Sequence, residues 1–130
     1  MNYSELVKNE ESKIIAVDFD GVIHSFEHGY YDGTIYGTPI VGSIEALNKL
    51  HSENYKIILY TTKAKKDRPL VNGKTGIELI WEWLAKYKIN HTIYDITAEK
   101  PRAICYIDDK AIRFINWDQT IQDLYRIYLK

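Results

Sequence analysis

The stretch Ile14-Ile15-Ala16-Val17-Asp18-Phe19-Asp20-Gly21-Val22 decides how this chain is read. Its opening residues are apolar and mostly β-branched, without the alternation of a half-exposed strand. Lys13 to Val17 therefore reads as a strand buried on both faces. The run ends on two aspartates one residue apart, followed by a glycine. Side chains two apart in an extended segment project to the same side, so Asp18 and Asp20 are expected to aim at one point. Two carboxylates so placed repel unless a cation or a shared proton lies between them. The end of this strand is the first place to look for chemistry.

Working outward, the segment 22–40 holds Gly29, Gly33, Gly37 and Pro39 among Phe26, Tyr30, Tyr31 and Tyr36. This composition suits a flap or irregular hairpin better than a helix. Gly42-Ser43 opens a helix to about Glu53, with Ser43 as its expected cap and Ile44, Leu47 and Leu50 as its apolar stripe. Tyr55 to Tyr60 is a second buried strand, closing on Thr61-Thr62-Lys63. A basic loop spans 63–74 and carries the turn signal Asn72-Gly73. Ile77, Ile80, Trp81, Leu84 and Tyr87 space the next helix, which Thr75 or Gly76 starts. His91 to Tyr94 is a short strand. Ala103 to Ile107 is another buried one, with Cys105 in its core, ending on Asp108-Asp109. Ile121, Leu124, Tyr125 and Tyr128 line one face of a last helix, and residues 3–10 are expected to form a short first one.

This alternation of strands and helices specifies an α/β fold: a three-layer, Rossmann-like parallel sheet with helices on both faces. In such sheets ligands sit outside the carboxyl ends of the strands, where the strand order reverses. Asp18 and Asp20, Thr61, and Asp108 and Asp109 all fall at predicted carboxyl ends, so separate runs deliver acids and a hydroxyl to one rim. The 130 residues suit a single domain over 1–130, without repeat or linker. A net charge of -1 gives no electrostatic case for a nucleic-acid or anionic-membrane binder, although a local basic cluster exists. One cysteine excludes an internal disulfide and a zinc-cluster spacing. The polar, acidic N-terminus lacks the form of a signal peptide, and no apolar run has membrane length. A cytoplasmic protein is the expectation.

Hard oxygen ligands in a cluster suit Mg²⁺, which takes one or two carboxylates and completes its shell with water and substrate phosphate. A nearby lysine would offset phosphate charge, and an aspartate can attack phosphorus to form an aspartyl-phosphate. The same residues carry a resemblance. Asp18-Phe19-Asp20-Gly21-Val22 resembles the first motif of the haloacid dehalogenase (HAD) superfamily, and Thr61 after Ile57-Ile58-Leu59-Tyr60 its second. Lys100 in Glu99-Lys100-Pro101 resembles the third, and Asp108-Asp109 after Ile104-Cys105-Tyr106-Ile107 the fourth. The motifs occur in the family's order across 13–109. The tail Asp108-Asp109-Lys110-Ala111-Ile112-Arg113-Phe114 further resembles small phosphatase-like bacterial and phage members.

The resemblance implies a Mg²⁺-dependent phosphomonoester hydrolase with roles position by position. Asp18 would be nucleophile and metal ligand. Asp20 would be the general acid/base, with its backbone carbonyl on the metal. Thr61 would bond the transferring phosphoryl group, and Lys100 would offset its charge. Asp108 and Asp109 would complete the metal shell, and which of them touches the ion is open. Val22 stands where the family more often has threonine, which removes a local hydrogen bond but no chemical role.

Thr62, Lys63 and His24 lie close enough in sequence to be candidates for holding the substrate. For His24 a packed or surface position is an equal expectation. Lys63, Lys65, Lys66 and Arg68 read first as a solvated charge run and second as cations for a substrate carboxylate or second phosphate. Neither inter-motif gap has room for the cap domain common in the family, so a capless, open site is expected, with the flap and the basic loop as specificity elements. The substrate would be a phosphorylated small molecule or a nucleic-acid end, with no membrane partner. The oligomeric state is open, a homodimer being one possibility. Alternatives are a phosphotransferase with the same site, a phosphoacceptor receiver module, and a non-catalytic metal-binding relative. In a receiver the lysine comes last, whereas here Lys100 precedes Asp108-Asp109.

Overall fold

A computed structural model describes residues 11–129 of the chain. The expected helix at 3–10 lies outside them. Strand β1 (Ile14–Asp18) is the axis of the architecture, because Ile15, Ala16 and Val17 are buried in succession on both sides of the chain. It pairs in parallel with β2 (Lys56–Tyr60) on one side and β4 (Cys105–Ile107) on the other, and β2 pairs in parallel with β3 (Ile93–Thr97). The sheet order is β3-β2-β1-β4. This is a Rossmann-like α/β fold with an all-parallel sheet.

Helices α1 (Ser43–Ser52) and α2 (Gly76–Lys86) make the crossovers from β1 to β2 and from β2 to β3. Both crossovers step in the same direction, and right-handed connection places both helices on one face. There Leu47, Ile80, Trp83 and Leu84 close over Ile15, Val17, Ile57 and Leu59 to form the core. The chain then turns back across the sheet to β4. The strand order thus reverses between β1 and β4, which is where an open α/β sheet forms its ligand crevice.

Helix starts follow local chemistry. Thr75 caps α2 in a full capping box: its hydroxyl accepts from Glu78 N at 3.2 Å, and the Glu78 carboxylate accepts from Thr75 N at 3.1 Å. Ser43, the expected cap of α1, is instead its first helical residue. Gly42 holds the cap position at φ +90°, and the Ser43 hydroxyl is buried without a partner among the described residues. Asn72 and Gly73, both at positive φ, turn the basic loop between the bridged Val71 and Lys74.

The C-terminal third departs from the sequence reading. β4 was expected to be buried with Cys105 in the core, yet all three of its residues are exposed. Among the described residues this three-residue edge strand has one hydrogen-bonded neighbour, β1. The last helix, α3 (Trp117–Asp123), continues as a π-helical turn (Leu124–Tyr128), and no residue of either is buried. The stripe of Ile121, Tyr125 and Tyr128 is present but open to solvent. No helix among the described residues is long and apolar enough to cross a membrane.

Candidate functional site

The carboxyl ends of β1, β2 and β4 open on a cleft of about 820 Å³. Asp18, Asp20, Thr61, Thr62, Lys63, Asp108 and Asp109 all line it, so the structure brings together most of the expected site residues. Tyr60, Ser25, Phe26, Tyr30, Arg68 and Lys110 line it as well.

Sheet register explains the acid corner. Val17 sits beside Ile107, so the next residues along the two strands, Asp18 and Asp108, emerge side by side. Carboxylate oxygens of Asp18, Asp108 and Asp109 lie within 4.8 Å of one another. Asp18 Oδ1 accepts from Phe19 N at 2.8 Å. Asp108 is fixed by two donors, Tyr60 Oη at 2.9 Å and Lys110 N at 2.8 Å. Asp109 has no hydrogen-bond or ion-pair partner among the described residues. It packs against Gly21, where a Cβ would overlap its Oδ2 and where φ is +84°. The glycine that reads in sequence as a strand breaker is thus also needed for close approach of an acid.

Burial pushes the Asp18 carboxyl up to about 6, and the negative charges of Asp108, Asp109 and Asp20 add to the shift against the Phe19 hydrogen bond. Burial and the bond to Asp108 likewise raise the Tyr60 phenol. Three converging carboxylates, one with strongly raised proton affinity and one without a partner, fit a hard divalent cation.

Asp20 points elsewhere. Its Oδ2 accepts from Lys63 Nζ at 2.7 Å and its Oδ1 meets His24 Nδ1 at 2.9 Å. Burial would raise its pKa, but the bonds from His24 and Lys63 and the Lys63 charge outweigh that and hold the carboxyl below its ordinary range. Lys63 is only 5% exposed, its ammonium 4.4 Å above the Phe26 ring. The reading of Lys63 as solvated surface is therefore corrected: it is a buried counterion. Lys65 and Lys66 are exposed and stay with that reading, whereas Arg68 reaches the cleft over Tyr30 at 5.3 Å.

His24 is fully buried and does not line the cleft, so it is not placed to touch a substrate. Thr61, 6% exposed, accepts from Lys63 N at 3.3 Å and so caps the short 3₁₀ turn Thr62–Ala64 that carries Lys63 inward. Lys100 is not brought into the cleft; its Nζ lies 4.4 Å from the centre of the Tyr106 ring. Sequence reasoning missed Tyr60 and Lys110 as supports of Asp108. The only signal for them was adjacency, Tyr60 before Thr61 and Lys110 after Asp109.

No family model and no curated protein matches the chain. Among solved structures it is similar to a conserved protein coded by a locus from Bacteroides thetaiotaomicron, at 25% identity and a TM-score of 0.55, over 88% of this chain and 90% of that one. The likeness extends over most of both chains and is one of fold.

Proposed function

We propose that the protein is a Mg²⁺-dependent phosphomonoester hydrolase of HAD type that works through an aspartyl-phosphate on Asp18. The observation that carries this reading is the convergence of Asp18, Asp108 and Asp109 at the switch point between β1 and β4, with Thr61 and the Asp20–Lys63 pair around the same cleft. Asp18, Asp108 and Asp109 would hold the ion, whose charge would neutralise this corner and polarise the phosphoryl oxygens.

Asp18 attacks phosphorus, and the bond from phosphorus to the ester oxygen breaks. The leaving oxygen takes a proton from Asp20, and water then attacks the aspartyl-phosphate while Asp20 takes that water's proton. Inorganic phosphate leaves and Asp18 is regenerated. Asp20 held as a carboxylate by Lys63 and His24 suits the second half of this cycle. For the first half it must be protonated. An arriving phosphate dianion competes for the Lys63 ammonium and adds negative charge beside Asp20, and both effects raise its proton affinity. Thr61 and Thr62 at the end of β2 supply hydroxyls toward the phosphoryl group. The irregular flap and Arg68 bound the leaving-group side of an open cleft, which suits a small phosphorylated molecule and leaves room for a nucleic-acid end.

The test is turnover of an aryl phosphate with and without Mg²⁺, in wild type and Asp18→Asn. Activity should require the ion and fall by at least about a thousandfold in the variant. A folded Asp18→Asn protein with undiminished turnover would sink the mechanism.

A further inference from the structure

We infer that His24 is a positioning residue that holds Asp20 in its proton-transfer orientation and ties it to the flap; this rests on the proposed role of Asp20. The inference comes from the hydrogen bonds at both ring nitrogens. Gly37 N–H lies 2.9 Å from His24 Nε2 and can only donate, so Nε2 carries the lone pair. The ring proton therefore sits on Nδ1 and is donated to Asp20 Oδ1 at 2.9 Å. One backbone amide in the flap thus selects the tautomer that presents a donor to the carboxylate.

The surroundings are built for this arrangement. The imidazole stacks on Phe19 at 5.3 Å and meets the edges of Trp83 at 5.5 Å and Tyr36 at 5.2 Å, which leaves the ring no room to turn. Gly37 must be glycine for its amide to come so close, because a Cβ there would stand 2.8 Å from Nε2. The Gly37 carbonyl accepts from Trp83 Nε1 at 2.9 Å, so helix α2 holds the amide in place. A histidine that merely filled core space would require neither the close glycine nor a partner on each nitrogen. With Lys63 on Oδ2 and His24 on Oδ1, both oxygens of Asp20 are fixed from opposite elements.

Two substitutions separate the contacts. In His24→Asn the amide nitrogen falls near the place of Nδ1 and keeps a donor for Asp20. In His24→Gln the longer side chain reaches toward Gly37 and leaves Asp20 Oδ1 without its donor. Each is assayed with Mg²⁺ on an alkyl phosphate, whose leaving oxygen needs a proton, and on a nitrophenyl phosphate, whose leaving group does not. His24→Gln should lower kcat on the alkyl ester by about 30-fold, with KM little changed and a much smaller loss on the aryl ester. His24→Asn should retain the larger share of alkyl-ester turnover. Equal losses for both variants on both esters, or no loss in His24→Gln, would overturn the inference and return His24 to packing.

Long-range ¹H–¹⁵N correlation on the wild-type imidazole reads the tautomer without any turnover. A proton on Nδ1 and none on Nε2 is expected, and an Nε2–H ring overturns the inference even if a variant does not fold. Wild type that hydrolyses no phosphomonoester would defeat the proposed function instead, while the tautomer would still decide the positioning claim.

Discussion

The two sides of the cleft are made of the same residue type and handle charge in opposite ways. On the β1–β4 side, Asp18, Asp108 and Asp109 face one another, and among the described residues only neutral donors, the Tyr60 hydroxyl and backbone amides, steady Asp18 and Asp108. On the β1–β2 side, Asp20 is bracketed by Lys63 and His24. One carboxyl is pushed up and the other held down, though only Phe19 separates them in sequence. Among the described residues none of the three carboxylates on the first side has an ion-pair partner, whereas Asp20 on the second has Lys63. The proposed hydrolase would gather a metal and a phosphate and also move a proton, and it would need both conditions side by side.

The comparison breaks most visibly at Lys63. Lys63→Met removes the buried ammonium and leaves Asp20 with His24 as its one remaining side-chain donor among the described residues. Breaking a buried pair by deleting one partner costs about 3 kcal/mol, which urea denaturation would read as a lower midpoint at unchanged slope. If Asp20 moves the proton as proposed, turnover should fall about 100-fold, because it loses the group that sets its charge state. If neither stability nor kcat moves, the two sides do not differ as described.

A second experiment sharpens the contrast through pH. The Asp18 carboxyl titrates near 6 in the folded protein and near 3.8 in a chain without these neighbours. Between those values the folded state binds a proton that the unfolded chain has lost, so stability falls as pH rises through that window. Asp20 has the opposite sign: its contribution is present above 3.8 and is lost as pH falls through its lower folded value. Because Asp18 is partly exposed, screening reduces its effect to on the order of 1 kcal/mol. Without metal, Asp18→Asn should therefore melt roughly 4 °C above wild type at neutral pH and lose that advantage toward pH 4. Excess Mg²⁺ should also close the gap, by stabilising wild type alone. A variant that melts with wild type at every pH would show that the acid corner is not strained.

The same contrast explains what the sequence made legible. Parallel strands were readable because Ile14–Val17 and Ile57–Tyr60 are continuous apolar runs, and the crevice followed from acids standing where those runs end. Asp18 and Asp20 were expected to share one target, since alternation along a strand puts them on one side. The chain leaves the strand after Asp18, however, and Gly21 at φ +84° begins a tight turn, so the two side chains diverge. Lys63 was unreadable for a different reason. In a run of lysines nothing local marks which one turns inward, and its burial is set by the cap from Thr61 and by backbone contact with Gly76, which leaves no space for a Cβ. The exposed β4 was misread because an apolar pattern records the capacity to be covered, not the cover itself.

Lys100 is the smallest expected effect and the sharpest check on the resemblance. The motif order assigns it to the phosphoryl group, yet its ammonium rests on Tyr106 outside the cleft, while Lys63 reaches Asp20 from within it. An exposed cation over an aromatic ring contributes roughly 0.5–1 kcal/mol, so Lys100→Met should change stability by no more than that. If the ammonium keeps its place when substrate binds, kcat with Mg²⁺ should fall by about threefold at most, far less than in Lys63→Met. A loss as large as that of Lys63→Met would mean that the loop between β3 and β4 carries Lys100 from Tyr106 to the phosphate during turnover. The β1–β4 side of the cleft would then draw its second cation from this chain after all, and the two sides would differ only until substrate arrives.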